Sequence, residues 1–338
     1  MPDERTTLER DRSRFGPNAW LLDELYGAYL GDPESVGEAW REFFEGYRPR
    51  GGVGRTQVPD APNEPPPAKE TRKPEDTQMV PLAGAAAIIA RRMDESLAVP
   101  TATSVRTVPA KLVELNRRLV NRHLERVQGG RVSFTHLIGF AIVKALADFP
   151  GMNRSYALVD GKPTAVQHHH VHLGVAVDVK RPDGSRTLLV PAIKAAETLD
   201  FAGFHAAYED LIRKVRSERV TPDDLVGTTV SITNPGTIGT VQSVPRLMAG
   251  QAAIFGIGVI AHPAEYQGAD PQTIAELGIS KVVTLTSTYD HRVIQGAESG
   301  EFLGRVHELL VGEHNFYGEV YKALDMPHRP IHWTADVR

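Results

Sequence analysis

The chain is expected to be an α/β protein of two layers (α+β), with a mixed sheet packed against helices. Three observations predict this. From about Pro81 to Leu324, short β-branched runs alternate with amphipathic helical patterns, at spacings that suit one sheet with helices on one face. Hydrophobic residues make up 41% and charged residues 24% of the 338, the balance of a globular chain. A Pro-rich stretch without periodicity separates that region from a short, aromatic-rich helical one.

The elements follow in order. Leu21, Leu22, Leu25, Tyr26, Tyr29 and Leu30 recur at helical spacing. After the Gly31-Asp32-Pro33 turn signal, Val36, Trp40, Phe43, Phe44 and Tyr47 do the same. Residues 1–50 thus read as a helical arm with one apolar face. It is too small to bury that face alone, so it docks either on the chain's own main domain or on a partner protein. Residues 51–80, with Pro59, Pro62, Pro65, Pro66, Pro67 and Pro74, read as a disordered, flexible linker of roughly 30 Å reach.

Residues 81–325 form the dense third region. Pro109 opens a helix that ends at Gly129-Gly130, and a second runs from about Phe134 to Phe149. Tyr156–Val159 and Thr164–Val166 flank Asp160-Gly161 as a hairpin. Leu173–Val179 and Leu188–Ile193 are strands about a Pro182-Asp183-Gly184 turn. Phe201–Arg216 and Glu301–Leu310 are helical, while Thr229–Thr233, Ala252–Ile260 and Val282–Ser287 are buried strands.

Composition narrows the function. Lys+Arg 38 against Asp+Glu 42 leaves a charge of −4, which argues against a generalised nucleic-acid footprint. With no Cys, the chain holds no disulfide, zinc–thiolate site or cysteine nucleophile. Met1-Pro2-Asp3-Glu4-Arg5 has no apolar stretch behind it, and the longest apolar run, Met79–Ala90, is shorter than the ~20 residues of a membrane span. A cytoplasmic protein with no nucleic-acid or membrane partner is the expectation.

Two features tempt a site reading and are set aside. His168, His169, His170 and His172 cluster, but no carboxylate follows at ligand spacing, so they read as a solvated strand edge. Lys162, in Val159-Asp160-Gly161-Lys162-Pro163, sits where a lipoyl-lysine would, but Asp160-Gly161 is sufficiently explained as a turn. The segment Thr286–Ala297 is different. Asp290-His291-Arg292 follows a β-rich run, and Gln295-Gly296 leads into a helix. An imidazole there suits general-base work, since its unperturbed pKa is ~6.5.

Tyr289-Asp290-His291-Arg292 with Gly296 resembles the active-site signature of the dihydrolipoamide acyltransferases, the E2 enzymes of 2-oxo-acid dehydrogenase complexes. A looser form occurs in chloramphenicol acetyltransferase. Ser231-Ile232-Thr233-Asn234-Pro235-Gly236, Gly250–Ile254 and Leu189–Lys194 are also similar to segments of that family. Asp23–Tyr26, Asp32–Val36 and Trp40–Phe44 resemble the amino-terminal arm of 2-oxoglutarate dehydrogenase E1. The combination is that of the actinobacterial fused 2-oxoglutarate dehydrogenase/decarboxylases. It implies a chloramphenicol-acetyltransferase-like domain over 81–325 and, over 326–338, the start of a connection to a thiamine-dependent E1 module.

The resemblance implies succinyl transfer between dihydrolipoamide and coenzyme A. His291 would be the general base and Thr233 the oxyanion donor, with Asp290, Arg292, Gln295 and Asn234 supporting. It also implies a homotrimer whose active site joins two subunits. The lipoyl domain would come from a companion E2, with E1 and E3 components as partners. Thiamine diphosphate and magnesium would belong only to the E1 module.

Gln295 stands where the family usually has Asp, and Ala86 and Ala87 stand where basic residues are common. An acid–base brace lost from both sides would account for this, and Asp at 295 alone would then be destabilising. A catalytically weakened trimeric scaffold for the E1 module is the alternative function.

Overall fold

A computed structural model describes residues 14–47, 78, 80–82, 84–127, 129–180 and 186–332. Most of the Pro-rich span 51–80, the Pro182-Asp183-Gly184 turn and residues 333–338 lie outside these.

The arm holds helices α1 (Ala19–Gly31) and α2 (Glu38–Gly46). Then come α3 (Gly84–Ser96), strand β1 (Thr101–Pro109), α4 (Lys111–Val127) and α5 (Phe134–Asp148). Strands β2 (Arg154–Val159), β3 (Lys162–Gln167), β4 (Leu173–Val175), β5 (Val177–Lys180), β6 (Arg186–Leu189) and β7 (Ala192–Ile193) follow. Next are α6 (Phe201–Arg216), α7 (Pro222–Leu225), β8 (Val230–Thr233) and β9 (Ala253–Ile257). The remainder is α8 (Pro271–Glu276), β10 (Val282–Asp290), α9 (Gly296–Leu310) and α10 (Phe316–Ala323).

Six strands form the main sheet in the order β1-β10-β9-β8-β4-β7. β8 runs parallel to both neighbours, and the other pairs are antiparallel. β2–β3 and β5–β6 are separate hairpins. The first turns through Asp160 and Gly161, both at positive φ, as a two-residue hairpin turn requires.

α5 is apolar nearly all round and lies buried, from Leu137 and Ile138 through Leu146. Ser133 caps it by accepting the His136 amide, and the His136 ring reaches back to the Ser133 amide. Phe255 of β9 stacks on Phe302 of α9 with centroids 4.9 Å apart, which ties the sheet to its helices. Burying such side chains contributes about 1.5–3 kcal/mol each.

The arm docks on the chain's own domain. Phe15, Ala19, Leu22, Val36, Trp40 and Phe44 cluster with Leu225. The buried Asn18 amide donates to the carbonyls of Val190 and Leu225 (2.8 Å each) and accepts the Val190 N–H at 2.8 Å. Trp40 Nε1 donates to Val220 O at 2.9 Å. Arg92 of α3 reaches Gly16 O at 3.0 Å.

Several elements differ from expectation. β1 and α3 are not among the elements expected from the sequence pattern. β1 is an edge strand with only Val108 buried, held by a nine-residue register with β10 rather than by its own pattern. Pro109 therefore ends a strand, and α4 begins at Lys111. β10 continues through Asp290, because its polar residues Ser287, Thr288 and Asp290 are buried inside the sheet. The 173–179 segment divides at Ala176: β4 joins the main sheet, whereas β5 leaves it to pair with β6.

Candidate active site

β10 delivers Asp290 and His291 to the end of the sheet, and the chain then tightens into a turn. The Val293 and Ile294 amides both donate to Asp290 O (3.2 and 3.0 Å), and the buried Ile294 anchors the turn in the core. The His291 amide donates to Pro100 O at 2.9 Å, so the segment entering β1 forms one wall.

The imidazole of His291 is held in a defined way. Its Nδ1 lies 3.1 Å from Ile294 O. A carbonyl oxygen only accepts, so Nδ1 carries the proton and the lone pair sits on Nε2. Tyr289 meets the ring edge-on, centroids 5.6 Å apart, and His291 itself is exposed. The arrangement presents an oriented imidazole, with Nε2 facing out, beyond the end of the sheet.

Asp290 is buried and fully engaged. Its carboxylate accepts the Arg292 amide (3.1 Å), Nε (2.9 Å) and Nη2 (2.6 Å). These bonds push the Arg292 pKa above the ordinary guanidinium range, against the opposing effect of burial. The guanidinium also lies 3.7 Å from the centre of the Tyr156 ring.

Gln295 is exposed at the N-cap of α9, and its side chain makes no capping bond. This exposure argues against the expectation that Asp there is destabilising. A carboxylate at this position would face solvent and the positive end of a helix, where it is favoured.

Thr233 closes β8 and is half-buried; Asn234 Nδ2 donates to Thr135 Oγ1 at 2.7 Å. The register shows how far Thr233 is from His291. Thr233 lies opposite Gly256, and Gly256 lies opposite Thr286. From Thr286 to Asp290 is four residues of strand, ~14 Å at ~3.4 Å per residue, and His291 lies beyond the end of β10. Within one chain the two residues are separated both along the strands and across the sheet, with β9 between their strands.

Several other histidines have defined partners. Residues 168–172 form an irregular connection with bends at His169 and His170, rather than a strand edge. His168 Nε2 bonds Ser155 Oγ (2.9 Å), His170 Nδ1 bonds Glu197 (2.6 Å), and His172 Nδ1 accepts the Ala195 amide (3.0 Å). His136, His205 and Glu209 come together closely enough to hold a metal ion. The capping bond to Nδ1 of His136, however, puts its proton on Nε2, which faces Glu209 at 3.1 Å. That is the wrong tautomer for a ligand.

Two cavities, of about 580 and 660 Å³, lie where the arm meets the core. Neither is lined by His291 or Thr233. Among the described residues, no helix is long and apolar enough to cross a membrane.

Sequence signals for the turn's supporting groups are weak. The carbonyls of Pro100 and Ile294 act through the backbone, which any residue supplies. Tyr156 reaches Arg292 across 136 positions of chain.

The sequence profile of 2-oxoacid dehydrogenases acyltransferase (catalytic domain) matches residues 74–316, and that of the 2-oxoglutarate dehydrogenase N-terminus matches 13–50. The "Multifunctional 2-oxoglutarate metabolism enzyme" of Mycolicibacterium vanbaalenii is 47% identical over 373 residues, covering 96% of the chain and 30% of the relative. That of Mycobacterium sp. strain KMS is 44% identical, covering 96% and 31%. The chain spans about a third of the length of these curated relatives.

Among solved structures, Azotobacter vinelandii dihydrolipoamide acetyltransferase is similar at a TM-score of 0.59 and 26% identity, covering 79% of this chain and all of that one. That structure concerns the roles of a serine, a histidine and an asparagine in catalysis. A probable dihydrolipoamide acetyltransferase from Listeria monocytogenes has the same fold at a TM-score of 0.59 and 23% identity, covering 76% and 99%.

Proposed function

Because the chain belongs to the 2-oxoacid dehydrogenases acyltransferase (catalytic domain) family, we propose that it transfers a succinyl group between dihydrolipoamide and coenzyme A in 2-oxoglutarate oxidation. The observation that carries this reading is the His291 ring, locked by Ile294 O with its lone pair on Nε2. The name of the curated relatives supports 2-oxoglutarate as the source of the acyl group.

The chain has no thiol of its own, so the nucleophile is the substrate's. Nε2 of His291 takes the proton from the coenzyme A thiol. The thiolate adds to the carbonyl carbon of the succinyl-dihydrolipoyl thioester, and the Thr233 hydroxyl donates to the resulting oxyanion. Collapse breaks the bond to the dihydrolipoyl sulfur, which leaves with the proton held by His291. A positioned base is worth about 10²–10⁴-fold and an oxyanion donor about 10²–10³-fold.

The separation of Thr233 from His291 along the register supports a site shared between subunits of a homotrimer. In this reading residues 1–50 are an E1-type arm, 51–80 connect it to the next domain, and 81–325 are the acyltransferase domain. The lipoyl group arrives on a companion E2. The E1 component, with its thiamine diphosphate and magnesium, and the E3 component complete the complex, in the cytoplasm.

Gln295 is compatible with activity. In the Azotobacter protein, the histidine and asparagine studied for catalysis are four positions apart, as His291 and Gln295 are here. The test is succinyl transfer between coenzyme A and dihydrolipoamide, free or on a lipoyl domain. The unchanged chain is expected to turn over, with His291→Ala and Thr233→Ala each down by two decades or more while still trimeric. A folded trimer without transfer would instead mark a scaffold for the E1 module.

A further inference from the structure

We infer that Tyr156 is a positioning residue for His291, acting through Arg292. The inference rests on the reading of His291 as the base. It starts from how much of Arg292 is already fixed. Its amide and two of its guanidinium nitrogens are bound to the buried Asp290 carboxylate, which holds one edge of the planar group. Tyr156 covers its face at 3.7 Å. A guanidinium held by an edge and a face is restrained in its rotamer, although the Arg292 side chain stays 32% exposed. The backbone of the 290–292 turn is then fixed on the residue that follows the imidazole.

Tyr156 is placed for this from outside the main sheet. It lies on β2, which pairs only with β3, so no ladder of the main sheet explains its position. The segment leading into β2 meets the same loop a second time. A Cβ built on Gly151 would lie 1.6 Å from Glu298 Oε1, in the first turn of α9, with Arg154 Nη2 3.1 Å from the same point. Only glycine lets Glu298 approach the backbone there. The stretch 151–156 therefore touches the loop within its turn, at Arg292, and just beyond it, at Glu298. These contacts brace the loop in a chain whose residue 295 is an exposed glutamine without a capping bond.

Misplacing a reacting group by about 1 Å can cost about 10²-fold. In the succinyl-transfer assay, Tyr156→Leu is expected to lower kcat by roughly 10- to 100-fold, with KM for coenzyme A unchanged. Tyr156→Phe keeps the ring face and is expected to restore kcat. Unchanged kcat in Tyr156→Leu overturns the inference. So does an equal fall in Tyr156→Phe, or a rise in KM with kcat retained. Tyr156→Met replaces the leucine variant should that one not fold. If neither folds by far-ultraviolet circular dichroism, Tyr156 is a packing residue and the inference is overturned.

His291→Ala, assayed beside them, separates the two levels. If it is as active as the unchanged chain, or if the unchanged chain transfers nothing, the reading of the site fails and the inference with it. If His291→Ala is inactive while Tyr156→Leu matches the unchanged chain, only the inference fails.

Discussion

At the residue scale, one hydrogen bond decides what His291 can do. With Nδ1 donating to the Ile294 carbonyl, the neutral ring has its acceptor on Nε2. The sequence showed a histidine between an acid and an arginine, but not which nitrogen would face outward. Asp290 is similar: its buried carboxylate serves Arg292, so it shapes the turn and does not orient the imidazole directly. Gln295 carries a residue-scale prediction. Gln295→Asp puts a favoured capping group at an exposed N-cap beside the positive helix end. A gain of about 0.5–1 kcal/mol should raise the melting temperature by roughly 1–4 °C. A scanning-calorimetry decrease would show that the side chain is buried in the assembled protein.

At the element scale, the histidine-for-glutamate capping box of α5 makes stability depend on pH. Burial, with a smaller contribution from His205, pushes the His136 pKa down to about 3. The folded chain therefore holds this ring neutral, while the unfolded chain protonates it below the ordinary histidine pKa of ~6.5. Between those limits the unfolded state binds more protons. The stabilisation is fully present above pH ~6.5 and declines as the pH falls toward about 3. The melting temperature should fall over that window, and His136→Gln, which still offers an acceptor to the Ser133 amide, should flatten the slope. An identical slope in the variant would place the pH dependence elsewhere. The pattern of α5 was legible because an apolar helix needs no partner to be recognised. β1 was not, because an edge strand with one buried residue is specified by its neighbour.

At the scale of the whole molecule, the sheet register separates Thr233 from His291, so the proposed site, if it uses both, needs a second copy. A mixed trimer tests this directly. His291→Ala and Thr233→Ala chains, each inactive alone, should regain part of the wild-type rate when they are unfolded and reassembled together, since some interfaces then pair an intact histidine with an intact threonine. No recovery in verified mixed trimers would mean that each chain completes its own site. The arm belongs to this scale too. Its apolar face was evident from sequence, but its docking place was open. Asn18 resolves it by satisfying the backbone of Val190 and Leu225, groups far away in the chain.

By itself the sequence determined the helical arm, most strands and helices of the main domain, and the family signature around His291. These are encoded locally, as hydrophobic period, turn residues and side-chain chemistry at short spacing. Tertiary structure alone decided where the arm packs, how far β10 extends, which imidazole nitrogen faces out, and how Tyr156 meets Arg292. Each depends on backbone groups or partners that are distant in the chain. A polar residue such as Thr288 or Asp290 reads as loop until the sheet that buries it is present.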